Sequence, residues 1–261
     1  MNMSCPQIAA GTWVPLSHTR HGTWRWCRAE SFGFAQAYRH VPVTLDEGEG
    51  AAANMPVVFM PDGMPVAVLR LARRGKSAFV ASRGVWRGSY VPDLLRAYPF
   101  APNGWGGDGD APMLVDEASD LVARDGLAHG LRIFDDNGAL VPPLGRLRDM
   151  LRAHAQAEHR TRGAAQDLVQ AGVLVPFAQG TPLAGFHGID RAALAGLGRV
   201  TVAQLHRSGA LFLAQAHFVS LCHVPVLQQA EAAFTAPPSN RSLHGFMAAL
   251  SDDLARPNSG V

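Results

Sequence analysis

The sequence predicts an α+β fold, with an antiparallel, β-rich N-terminal half packed on a helix-rich C-terminal half. Three observations carry this. Up to about residue 143, short runs of Val, Phe, Ile and Leu are separated by turn residues. Beyond it, apolar residues recur with the three-and-four spacing of a helix. The two kinds of element are segregated along the chain rather than alternating, which favours α+β over α/β. Residues 1–234 read as a single domain, and 235–261 as a linker and a short terminal helix.

In chain order, residues 12–16, 32–34 and 41–45 read as extended pieces, with His18, His21, Trp24, Trp26 and Cys27 clustered between the first two. Residues 47–54, rich in Gly and Ala, read as a loop. Residues 55–60 form an apolar run, Pro61-Asp62-Gly63 a turn, and 66–71 the returning strand. Pro presets φ in such a turn and Gly accepts positive φ, so a hairpin is expected. Arg73-Arg74-Gly75-Lys76 makes the next turn and 78–81 the next strand. In residues 86–100, Pro92 opens a short helix with Asp93 near its N-terminus, and the helix ends before Pro99. Residues 103–111 form a Gly- and Asp-rich loop, and 113–115 a strand. Residues 131–134 form another strand, closed by the Asp135-Asp136-Asn137-Gly138 turn.

Leu144, Leu147, Met150 and Leu151 then mark one face of a helix. Thr161 is placed as the cap of a following helix, which Gly172 stops. Residues 173–177 return as a strand and 181–186 are extended. Thr201 to Gln204 fits a capping box opening a helix that Gly209 ends. An apolar helix follows from Ala210, bent near Pro225. A Pro/Ser/Asn linker at 235–242 leads to an amphipathic helix at 243–254.

Composition narrows the function classes. Of the residues, 48% are hydrophobic and 17% charged, the balance of a globular protein that buries a core. The formal net charge is only +2 and Lys76 is the only lysine, so no basic run of the kind that tracks nucleic acid is present. Cys5, Cys27 and Cys222 are odd in number and widely spaced, which argues against a disulfide framework and for a reducing, cytoplasmic setting. Residues 1–10 lack a signal-peptide pattern. The apolar run at 210–227 is interrupted by Gln215, His217, Ser220, His223 and Pro225, so it reads as a buried helix and not as a stable membrane span.

Catalytic motifs are sparse. No G-x-S-x-G elbow is present, and no phosphate-binding lysine and helix follow the glycines at 104–109. No His-x-Asp or His-x-Glu occurs, His187 and Asp190 are wrongly spaced for an iron site, and no metal or cofactor is expected. His154, Glu158 and His159 read as a solvated helix face. His217 reads first as a core histidine bonded to a carbonyl or carboxylate, with an acid/base or ligand role as the alternative. The densest feature is Trp86, Tyr90, Arg96, Tyr98 and Phe100, aromatics around one arginine. That combination suits a recognition surface, or else a core with Arg96 holding a loop.

Residues 86–100 follow Trp-x-x-x-Tyr-Val-Pro-x-x-Leu-Arg-x-Tyr-Pro-Phe, a pattern similar to that of the SapC family. Further segments resemble that family in order: Pro56-Val57-Val58-Phe59, Met113-Leu114-Val115-Asp116, Leu131-Arg132-Ile133-Phe134-Asp135, residues 171–177, residues 185–190, and Gln215-Ala216-His217-Phe218-Val219-Ser220-Leu221. The resemblance implies an association with bacterial surface-layer or secreted proteins and with genomic neighbours such as tryptophan halogenases. It supplies no catalytic mechanism. Two readings follow from it. One is a binding or accessory protein for a polypeptide partner, using Trp86, Tyr90, Arg96, Tyr98 and Phe100. The other is a peptide- or amino-acid-modifying enzyme with a pocket built on Arg96, Asp116, Asp190 and His217.

Overall fold

The structure is a computed structural model that describes residues 11–73, 75–103, 113–124, 127 and 130–235. The glycines at 104–109, Cys5 and the terminal helix expected at 243–254 lie outside them. The first half runs β1 (Trp13–Pro15), α1 (His18–His21), β2 (Arg25–Trp26), β3 (His40–Pro42), α2 (Gly48–Ala52), β4 (Val57–Phe59), β5 (Pro65–Val68), α3 (Asp93–Ala97), β6 (Phe100–Ala101), β7 (Leu114–Asp116), β8 (Val122–Ala123) and β9 (Leu131–Arg132). The second half runs α4 (Pro142–Gln170), β10 (Leu174–Pro176), β11 (His187–Ile189), α5 (Arg191–Ala195), α6 (Arg199–Ser208), α7 (Ala210–Ser220) and α8 (His223–Thr235). The fold is mixed α+β, with antiparallel sheets mainly in the N-terminal half and helices in the C-terminal half.

Among the described residues three antiparallel sheets form, ordered β1-β7-β6, β10-β11-β4-β5-β3 and β8-β2-β9. The five-stranded sheet joins the halves, because β10 and β11 come from beyond α4 and dock beside β4. Every residue of β4 and β5 is buried, so these strands read as continuous apolar runs rather than alternating ones. Their two faces feed separate cores. Val57, Ala67 and Leu69 pack with Leu94, Leu95, Leu144 and Leu151. Val58, Val66 and Val68 pack with Leu183, Phe186 and Leu227. This is the period-two geometry of a strand buried on both sides.

Helix α4 starts at Pro142, whose missing N–H costs nothing in a first turn. Its buried face runs through Leu144, Leu151, His154, Glu158, Thr161, Ala165 and Leu168. Thr161 therefore caps nothing. It lies inside one 29-residue helix, accepts the Leu45 N–H at 2.8 Å and donates to the Ala157 carbonyl at 2.7 Å. Even with Gly163 two residues on, the helical ladder continues, so neither the threonine nor the glycine divides it.

Other expectations shift locally. Residues 47–54 are not a loop: a 3-10 turn at Leu45–Glu47 leads into α2, whose Gly48, Ala51 and Ala52 are buried. The small residues serve close packing. A Cβ at Gly50 would stand 2.7 Å from the Tyr90 ring, and one at Gly48 would stand 2.6 Å from the Phe212 ring. Residues 32–34 are not extended: Phe32 caps a 3-10 turn at Gly33–Ala37 that contains Gly33 and Phe34. The strand expected at 78–81 is reduced to one antiparallel bridge between Val80 and Trp86. Turns occupy 181–186, and α6 opens two residues before Thr201, at Arg199 behind Gly198. The break between α7 and α8 falls at Leu221 and Cys222 with a bend of 47°, and Pro225 sits in the first turn of α8, where proline is tolerated. Among the described residues no single helix is long and apolar enough to cross a membrane.

Substituting Gly50→Ala is expected to lower stability by about 1–3 kcal/mol despite alanine's better helix propensity, because the Tyr90 ring is held in place. Gly48→Ala is expected to cost less, since the Phe212 ring lies on an exposed flank and can swing away. Urea unfolding of both variants checks this; equal costs would show that Tyr90 yields as easily as Phe212.

Candidate functional site

Residues 86–100 are woven into the protein by named bonds. The Trp86 Nε1–H donates to the Tyr90 carbonyl at 2.8 Å, and its ring stacks on Phe79 with centroids 5.5 Å apart. The Tyr90 hydroxyl donates to Glu47 Oε1 at 2.9 Å, and the Asp93 N–H donates to the same oxygen at 2.8 Å. Tyr98 stacks on Phe34 with centroids 4.0 Å apart and donates to Asp116 Oδ2 at 3.1 Å. Phe100 is fully buried against Trp26. Arg96 is exposed and pairs with Asp93 on the same helix. Trp86, Tyr90 and Tyr98 are half-buried, so most of the aromatic surface faces inward.

At the centre of this segment lies Glu47, 5% exposed. Besides Tyr90 and Asp93, it accepts the Thr44 N–H at 3.0 Å and the Thr44 hydroxyl at 3.1 Å through Oε2. His154 of α4 places Nδ1 3.4 Å from Oε2 and 3.9 Å from Asp93 Oδ2. The Asp93 carboxyl is held below its usual range, first by His154 and then by Arg96, against the opposing effect of burial. Burial, followed by the Glu47 charge, pushes the Tyr90 hydroxyl upward, so it stays a donor. Ligand atoms of Glu47, Asp93 and His154 lie within 4.8 Å of one another, a spacing open to a divalent ion. The donor set does not fit one, because a carboxylate offers about four acceptor positions and all of Glu47's are taken.

His154 and Glu158 are not a solvated face. Each is 3% exposed, and only their neighbour His159 faces water. They belong to the inward stripe of α4, where a long helix packed against α3, α6, α7 and the Leu45–Glu47 turn carries its polar residues into the core. Burial pushes the Glu158 carboxyl up to about 7, against the Arg162 guanidinium that bonds Oε1 at 2.7 Å.

Of the candidates, Asp116 lies in the β1-β7-β6 sheet, apart from Asp190 and His217, which are neighbours at β11 but each bonded to backbone. Asp116 accepts the Thr12 and Ala118 N–H groups at 2.9 and 3.1 Å beside the Tyr98 hydroxyl, tying β1 to β7. Asp190 caps α5, accepting from the N–H groups of Ala192 and Ala193. His217 donates from Nδ1 to the Val57 carbonyl at 2.7 Å and accepts the Ile189 N–H at Nε2, at 3.3 Å. A carbonyl only accepts and an amide only donates, so these partners fix one neutral tautomer. Burial, the largest cause, lowers its pKa. Ser220 accepts the Val57 N–H at 2.8 Å. In the β4–β5 ladder Val68 N–H bonds the Pro56 carbonyl, so Val57 points its polar groups to the other edge. There β11 reaches β4 only at Phe59, and α7 supplies the missing strand with two side chains. The early cluster is likewise packed, with His21 fully buried 3.0 Å from Glu117 and against Trp24.

A concavity of about 400 Å³ opens elsewhere, between the end of β5, the 180–184 turn and α8. Arg39, Arg73, Thr181, Gln228 and Glu231 line it. Arg39 donates to the Ala184 carbonyl at 2.9 Å and lies 4.4 Å over the Phe186 ring. Glu231 accepts the N–H groups of Leu71 and Ala72 at 2.6 and 3.0 Å, fixing that wall. Sequence reasoning missed this groove because its residues come from four separate stretches, none with a local pattern. Glu47 did leave a signal, since Thr44-Leu45-Asp46-Glu47 is a capping box and forms one.

These features define an α+β protein whose most distinctive segments are internal fasteners. The chain belongs to the SapC family, whose model matches residues 16–227. No curated protein and no solved structure matches it.

Two buried groups give opposite pH signatures. Unfolded His217 takes a proton near pH 6.5 that the folded residue resists, so its stabilisation is complete above that pH and is lost as pH falls below it. Glu158 has a raised folded pKa, so its ionisation erodes stability as pH rises from about 4.5 to about 7. Chemical unfolding from pH 5 to pH 8 is expected to show His217→Asn losing least, relative to wild type, at the acid end. Glu158→Gln is expected to gain most, by about 1–3 kcal/mol, at the alkaline end. Differences from wild type that stay constant with pH would contradict both assignments.

Proposed function

We propose that this chain is a non-catalytic binding or accessory protein acting on a polypeptide partner, such as a surface or secreted peptide or a peptide-tailoring enzyme. One observation carries the reading: the acid, base and hydroxyl groups a catalyst would draw on are spent on backbone partners. His217, Asp116 and Asp190 each bond main-chain groups, and Asp116 does so in a different sheet from the neighbouring Asp190 and His217. A reacting centre instead needs a nucleophile or base with an open position facing a substrate. The open groove beside Arg39 and Arg73 has the form of a binding surface. Contacts through the exposed Arg96 and the outer edges of Trp86, Tyr90 and Tyr98 belong to the same reading.

The test is an array of short peptides probed with the labelled full-length chain, with bound peptides recovered and weighed by mass spectrometry. A reproducible subset is expected to bind and to return at unchanged mass. A bound peptide whose mass changes in the presence of the protein would establish catalysis instead. Binding to no peptide would remove the polypeptide partner.

A further inference from the structure

The loop after β5 concentrates positive charge. Residues 70–76 contain Arg70, Arg73, Arg74 and Lys76 and no acid, in a chain whose net charge is only +2. Arg39 of β3's leading edge faces the same place, and its pKa is lowered by burial and then by Arg73 and Arg70. Arg70 is 8% exposed, yet it directs its guanidinium at the carbonyls of Ala37, Arg73 and Gly75 and forms no ion pair among the described residues. Arg73 is exposed at the groove rim. Glu231 is the one carboxylate among the described residues of the groove lining, and two backbone N–H groups bond it. The Arg39 Nε is buried without a hydrogen-bond partner. Two lining guanidiniums against one carboxylate, with Arg70 close enough to act on Arg39, leave this concavity short of negative charge.

We infer that the groove bounded by Arg39, Arg73, Thr181, Gln228 and Glu231 binds an acidic peptide segment, seating a carboxylate between Arg39 and Arg73. This rests on the polypeptide-binding reading and names what the partner presents. The groove is open and not enclosed, a shape that admits a continuous chain. Gln228 offers its amide to a peptide backbone, and Thr181, whose hydroxyl donates to the Ala178 carbonyl, offers an acceptor oxygen. Arginine's planar fork matches a carboxylate in two parallel hydrogen bonds. Glu231 in the wall sets the limit: it tolerates one added negative charge beside two arginines and repels the second charge of a phosphate.

Fluorescence anisotropy of the full-length chain tests this with a short glutamate-bearing peptide and its glutamine counterpart. The glutamate peptide is expected to bind about tenfold more tightly at low salt, and the advantage to shrink as salt is raised. Arg73→Glu should abolish the preference, being an exposed change that leaves the core alone. Arg199→Glu, an exposed reversal outside the groove lining, should leave it intact. Equal binding of the two peptides would overturn the acidic preference while leaving peptide binding in place. Binding of neither peptide would overturn both. Equal losses from the two charge reversals would show a general field instead of a groove. Displacement of the glutamate peptide by inorganic phosphate at concentrations where acetate has no effect would reassign the seat to phosphate.

Discussion

A single buried carboxylate organises the junction between the halves. Glu47 accepts from Thr44 on its own turn, from Tyr90 and from the first amide of α3, and it faces His154 from the long helix α4. A buried carboxylate without such donors would cost several kcal/mol. The four donors must therefore be delivered together, which fixes how residues 86–93 lie on α2 and where α4 crosses them. Gly50 makes room for the Tyr90 ring, and Asp93 is placed by its own N–H as well as by His154 and Arg96. A second fastener works in the same way at the sheet, where His217 and Ser220 complete the Val57 edge in place of a strand.

These fasteners bear on function by subtraction. In 86–100 and 215–221, Trp86, Tyr90, Tyr98, His217 and Ser220 have their polar atoms committed to partners within the fold. Their chemistry explains why such a fold holds together. In the proposed binding role, contact falls to exposed surfaces that the fasteners shape, Arg96 among them. The groove beside α8 is shaped by similar anchors, since Glu231 holds the end of β5 and the 180–184 turn is pinned by Arg39.

The hairpin at 55–71 was legible in the sequence, because an apolar run, a Pro-Asp-Gly turn and a returning run say the same thing at every level. The core role of His217 was legible for a related reason, since a histidine in so apolar a helix needs fixed partners. Residues 47–54 were not legible: glycine and alanine look alike whether they loosen a loop or let Tyr90 and Phe212 approach closely. His154 and Glu158 misled because polar residues on a helix usually face water, and only tertiary contact shows that α4 turns them inward. Thr161 misled through its propensity, which favours caps but is overridden when a helix is packed along its length. The groove assembles residues from 39, 73, 181, 228 and 231, so no window of the chain contains it.

The claim that Glu47 is the shared fastener is tested most directly by a double-mutant cycle between Glu47→Gln and Tyr90→Phe, read by equilibrium unfolding of the full chain. If the hydroxyl and the carboxylate are one buried unit, the two losses are non-additive, with a coupling of about 1–3 kcal/mol. Additive losses would contradict the account and show that Tyr90 and Glu47 stabilise the protein independently.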